Sequence, residues 1–289
     1  MYKNIYGLSC IENHVLAVLK NRGEKTGFLY HDSAVPLREL FGCMVKRGIK
    51  QENFDCLSRV QDVLKKLGVI SLEKNKTEKI EDFFNKIKDC GNSDYILAQV
   101  TPDFSKTVLY SRALRVDHYI LVKTEGDVFK IQNDIPERAV TLDKQQFSDV
   151  FVGEYFKMTV LRGIGYKDVC NLWTSRRHKP EEQEAFDLRR SDLEGIEELG
   201  IKLRNMVGVC KILLRRMAEY YGIYINTDFI WKTVSITDKL YATLEYHNLR
   251  KNVPVEKYYM LAYDFNNIYT DILKQLQIYL YNKVDIRND

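Results

Sequence analysis

Apolar residues recur at helical spacing through the first third of the chain. Ile11, Val15, Val18 and Leu19 predict an amphipathic helix over 10–22, stopped by Gly23. Leu37, Leu40, Phe41, Met44 and Val45 predict a second, entered near Pro36 and ended by Gly48. Val60, Val63, Leu64 and Leu67 before Gly68 mark a third, and Ile80, Phe83, Phe84 and Ile87 before Gly91 a fourth. The period then changes. Tyr95–Val100 and His118–Lys123 are short apolar runs of strand type, and Val128–Gln132 alternates. Glu125-Gly126-Asp127 between the last two reads as a hairpin turn, and Tyr155–Leu161 is a further strand. Beyond Gly163-Ile164-Gly165 the helical period returns, over 181–221, 228–250 and 256–283, with many tyrosines. Helices followed by an antiparallel sheet predict an α+β first domain, residues 1–163, and a mainly helical second domain, 164–289.

Composition narrows the classes. Among 289 residues, 44 basic and 40 acidic side chains leave a formal charge of +4, spread along the chain. That is no nucleic-acid footprint. No run approaches the ~20 apolar residues of a membrane span, and the start has no apolar stretch of a secretory signal. The six cysteines form no Cys-x-x-Cys pair, which predicts a reducing, cytoplasmic protein without disulfides or structural zinc. No Gly-x-Gly-x-x-Gly, Walker or His-Glu-x-x-His motif is present, so neither cofactor nor metal is expected. Basic clusters at Arg176-Arg177-His178-Lys179, Arg189-Arg190 and Arg215-Arg216 could receive an acidic partner. Solvated helix faces are the plainer reading.

The chemistry concentrates at Ser9-Cys10-Ile11-Glu12. Ser9 with Glu12 three residues on is a capping box, which makes Cys10 the first helical residue. A thiol there lies beside unsatisfied N–H groups at the positive helix end, which predicts a lowered pKa and a nucleophilic thiolate. A small residue at a packed helix start is the structural alternative. His118 opens a strand and can supply the base. Across the hairpin, Asp134 or Asn133 at the end of the next strand can orient its ring. Taken singly, a strand histidine and a turn aspartate before Pro136 are ordinary structure; their order on these elements carries the inference. His14, one turn after Cys10, competes as base.

This layout resembles papain-like enzymes: cysteine at a helix start, histidine at a strand start, Asn-Asp at the end of the following strand. His118-Tyr119-Ile120-Leu121-Val122 with Asn133-Asp134-Ile135-Pro136 is similar to the histidine strand and turn of two groups. One is the bacteriocin-processing peptidase domains of export transporters. The other is the butirosin-type, acyl-carrier-protein-dependent aminoglycoside acyltransferases of antibiotic biosynthesis. The likeness covers roughly residues 4–162. Asn4 stands where such families often place an oxyanion-binding Gln, a shorter side chain with the same amide. Ser9-Cys10-Ile11 replaces the Asp-Cys-Gly step of many of the peptidases, which favours the acyltransferases. The resemblance implies Cys10, His118, Asp134 and Asn4 as catalytic residues. It implies a thioester donor on a carrier protein, an amine acceptor, and a helical second domain that shapes the acceptor pocket. A cysteine peptidase or amidase and a catalytically silent papain-like binding module are the alternatives.

Overall fold

The computed structural model describes residues 6–50, 59–110, 118–126, 128–250 and 253–284. Helix α1 spans Cys10–Asn21, and α2, Leu37–Leu40, continues as a π-helical segment, Phe41–Lys46. Next come α3 (Val60–Lys66), β1 (Ile70–Lys76), α4 (Ile80–Lys88), β2 (Asp94–Val100) and α5 (Pro102–Thr107). The hairpin strands β3 (His118–Glu125) and β4 (Val128–Asn133) lead to β5 (Arg138–Asp143), α6 (Lys144–Val150) and β6 (Phe151–Val160). Helices α7 (Tyr166–Ser175), α8 (Leu199–Tyr221), α9 (Asp228–Leu249) and α10 (Val255–Val284) follow, with no strand among the described residues. The architecture is α+β, built on one six-stranded antiparallel sheet of order β1-β6-β2-β3-β4-β5.

Contacts divide the chain into two compact units. One comprises Met1–Thr26 and Arg59–Val169, the other Gly27–Ser58 and Cys170–Asp289. The second unit thus takes in a segment, 27–58, that lies on the N-terminal side of any single cut near residue 163.

In the first unit, the even-numbered side chains Ile120 and Val122 of β3 and the odd-numbered Phe129 and Ile131 of β4 enter one core. Phe83 and Phe84 of α4, Phe147 of α6, and Phe151 and Tyr155 of β6 close it. Phe147 is fully buried and stacks on Phe83, Phe129 and Phe151, at centroid distances of 5.5, 4.9 and 5.7 Å. Such a ring is worth about 3–5 kcal/mol against alanine. Tyr119 and Leu121 alternate away from this core, and α1 packs on β3. The start of α1 is fixed by the expected capping box. Glu12 N donates to Ser9 Oγ at 3.2 Å, and Ser9 N donates to Glu12 Oε2 at 2.9 Å. The other oxygen of Glu12, Oε1, accepts from Val60 N at 2.9 Å, so one buried carboxylate serves the first turns of both α1 and α3. A negative charge is favourable at both ends.

The structure differs from the expected elements at two helices and adds two strands. Residues 181–198 are not helical. Pro180 opens only a short 3₁₀ turn, Arg190–Asp192 form another, and Gly195 (φ 73°) and Glu198 (φ 52°) adopt left-handed backbone that no helix continues through. The second helix is α-helical only over Leu37–Leu40 and then widens into the π-helical segment instead of running as one α-helix. Strands β1 and β5, not anticipated, are the two edges of the sheet. Edge strands carry polar residues, here Ile70-Ser-Leu-Glu-Lys-Asn-Lys76, and that weakens their apolar period.

In the second unit, α8 packs closely on α9. Asn248 Nδ2 donates to Gly200 O at 2.9 Å, and Tyr258 Oη donates to Asn248 Oδ1 at 3.2 Å. A Cβ at Gly200 would overlap the Asn248 side chain and lie 2.6 Å from Tyr258 Oη. Gly200→Ala is therefore expected to destabilise by about 1–3 kcal/mol. A thermal melt should show this as a midpoint lowered by about 3–8 °C; an unchanged midpoint would contradict the packing described.

Candidate active site

Ser9 caps α1, and Cys10 is its first residue, partly exposed. His118 opens β3 and is 3% exposed; Asn133 closes β4 and is fully buried. The two meet because strand alternation carries them on from the core rows Ile120/Val122 and Phe129/Ile131. His118 Nε2 and Asn133 Oδ1 are 2.6 Å apart. Asn133 Nδ2 donates to Pro136 O at 2.7 Å. A backbone carbonyl only accepts, so the amide orientation of Asn133 follows from Pro136 and its Oδ1 faces the imidazole. His118 Nε2 therefore carries the proton, and Nδ1 keeps the basic lone pair.

The hydrogen bond that orients His118 thus comes from Asn133 and not from Asp134, to which the resemblance assigned the role. Asp134 leaves on the other parity of the chain. Its Oδ2 accepts from Asn13 Nδ2 of α1 at 2.9 Å. Its Oδ1 is 4.0 Å from His118 Nε2, buried, and without a hydrogen-bond partner. The Phe129/Ile131 alternation, continued by two residues, points to Asn133 from sequence alone. Asn4 lies outside the described residues.

The thiol departs from its expected state. Burial pushes Cys10 up to about 11. The main-chain N–H groups of Tyr119, Ile11 and Cys10 pull the other way, while the Asp134 carboxylate raises it further. Desolvation of a thiolate outweighs the helix-end donors, so Cys10 rests as a thiol. The expectation of a lowered pKa is corrected accordingly. His14 is 2% exposed and Nε2 lies 3.1 Å from Tyr119 O. Burial holds its imidazole below the usual range, and a proton gained by His118 would push it the same way, while Asp134 and the Tyr119 carbonyl oppose it. Asp134 therefore acts on both Cys10 and His14, and it lies 4.0 Å from His118.

A test follows from the Asp134 charge. Asp134→Asn keeps an acceptor for Asn13 and removes the negative charge that disfavours the thiolate. Alkylation of Cys10 by iodoacetamide at pH 8, read on its own peptide by mass spectrometry, should quicken about threefold. An unchanged or slower rate would contradict the assignment of that charge.

Of the basic clusters, Arg189 and Arg190 are exposed and ion-paired, Arg189 with Asp187 and Arg190 with Glu194 and Glu256. Arg176 and Arg216 are instead 5% and 4% exposed, with guanidinium groups over Trp173 and Tyr30 at 3.9 and 5.3 Å. Those two are not solvated faces. Among the described residues no group of His, Cys, Asp and Glu side chains is arranged to hold a metal ion. No helix among them is long and apolar enough to cross a membrane. No protein-family model matches the chain, and no curated protein matches it.

Proposed function

We propose that this protein is a cysteine-dependent acyltransferase of papain-like type, with Cys10 as nucleophile, His118 as base and Asn133 as the residue that sets the His118 tautomer. The observation that carries the reading is the His118–Asn133–Pro136 relay, which leaves His118 Nδ1 as the acceptor. The Cys10 sulfur attacks the thioester carbonyl while its proton passes to Nδ1. The donor thiolate leaves, takes that proton and departs as a thiol. The amine then attacks the acyl-Cys10 carbonyl, gives its proton to His118, and the amide product is released as the Cys10 thiol re-forms. Main-chain N–H groups at the start of α1 face the oxyanion in both halves.

A thiol near 11 holds about one thiolate in ten thousand at pH 7, so deprotonation must accompany attack. A thioester suits such a site, because its leaving thiolate needs less help than an amine does. The thioester donor, on a carrier protein, and the amine acceptor follow from the likeness to butirosin-type acyltransferases. The same resting thiol is what favours the second reading, a silent binding module. Incubation with an acyl-carrier-protein thioester and a panel of primary amines separates the readings. Thiol release with amide formation is the expected outcome. Hydrolysis without amide would mark a peptidase or amidase, and neither would mark the silent module.

A further inference from the structure

We propose that His14 is a positioning residue of this site, one whose Nε2–H, donated to the Tyr119 carbonyl, holds β3 against α1 and keeps the Tyr119 main-chain N–H on the Cys10 sulfur. The inference rests on the reading of Cys10 as the reactive residue. Strand β4 pairs with β3 only from Leu121 onward, where Leu121 faces Gln132. The first residues of β3 run past the end of that ladder, and α1 meets them there. His14 lies one helical turn after Cys10, on the same face. Both main-chain groups of Tyr119 are thereby engaged by one helix, the carbonyl by His14 at 3.1 Å and the N–H by the Cys10 sulfur. A backbone hydrogen bond lowers a thiol only by donating to it, and the backbone donor is the N–H.

A carbonyl cannot donate, so His14 Nε2 is the protonated nitrogen and has no lone pair to offer. Burial lowers the pKa of the ring and so disfavours its charged form. The charged or titratable groups that face His14 are Asp134 and His118, and Asp134 also faces Cys10. These features fit a fixed donor, not a group that exchanges protons in turnover.

The test measures alkylation of Cys10 by iodoacetamide from pH 7 to 10 on the full chain, resolved by peptide from Cys43, Cys56, Cys90, Cys170 and Cys210. It needs no acyl donor, so it stands even if no transfer activity is found. His14→Met and His14→Leu, two donor-less side chains of different shape, should slow alkylation at pH 8 about tenfold, equivalent to one pKa unit. His14→Gln, whose amide can donate to the same carbonyl, should stay within about threefold of the parent rate. Thermal melts establish that each variant is folded. A folded donor-less variant with the parent alkylation profile would overturn the proposal. So would His14→Gln slowed as much as His14→Met.

Discussion

Replacing Cys10 by alanine should lower acyl transfer by a factor of about 10⁴ or more, with the fold unchanged. The size follows from the loss of the covalent route: without a nucleophile, only binding and oxyanion contacts remain. The fold should tolerate the change because alanine is the best helix former and Cys10 sits at the first position of α1, partly exposed. The capping box runs through Ser9 and Glu12 and does not involve the thiol. The expected stability cost is under about 1 kcal/mol, far below that of a core cavity. Cys10→Ser should be nearly as inactive. A hydroxyl is harder to ionise than even a desolvated thiol, and the proposed mechanism gives His118 only a single proton transfer. Initial rates of amide formation, with circular dichroism as the control for folding, check both variants. Transfer by Cys10→Ala at the parent rate would require another nucleophile.

His118→Ala should cost about 10³-fold, within the range for a general base. The loss should be larger than in a site with a preformed thiolate, because here the base must remove the proton from a thiol lifted to about 11. Donor binding should change little, so kcat falls and KM holds. Asn133 separates orientation from proton transfer. Asn133→Ala leaves both the His118 Nε2–H and the Pro136 carbonyl without partners in a buried site, and about a 10–100-fold loss is expected. Asn133→Asp is the sharper probe. Its carboxylate accepts from Nε2 but cannot donate to Pro136 O. The added negative charge favours imidazolium, so the acid limb of the rate profile should move to higher pH. A profile identical to the parent would show that Asn133 does not touch the titrating group.

Much of this geometry can be read from local rules, and the failures have identifiable causes. Ser9 and Glu12 announce the start of α1 because both halves of a capping box lie within four residues. The β3–β4 hairpin is legible because its strands carry bulky apolar residues and Gly126 takes a left-handed turn position (φ 60°). The choice between Asn133 and Asp134 needs parity: counting on from Phe129 and Ile131 puts residue 133, not 134, on the His118 face. The resting state of Cys10 is not a local property. Helix-end donors argue for a thiolate, and only the packing of α1 on β3 and the proximity of Asp134 show that burial wins. The edge strands hide because Ser71, Glu73, Lys74 and Lys76 serve solvent and not the core. Residues 181–198 read as helix because Phe186 and Leu193 stand seven residues apart, about two helical turns, while the left-handed backbone at Gly195 and Glu198 ends any such run.

In the proposed mechanism Cys10 carries the acyl group. The most direct measurement is the mass of the Cys10 peptide after the protein is quenched in acid during reaction with a thioester donor and no amine. A mass increase equal to the acyl group less one hydrogen is expected on that peptide, absent from Cys10→Ala and discharged when an amine is added. Turnover with no adduct on Cys10 at any quench time, or an adduct that amine does not discharge, would contradict it.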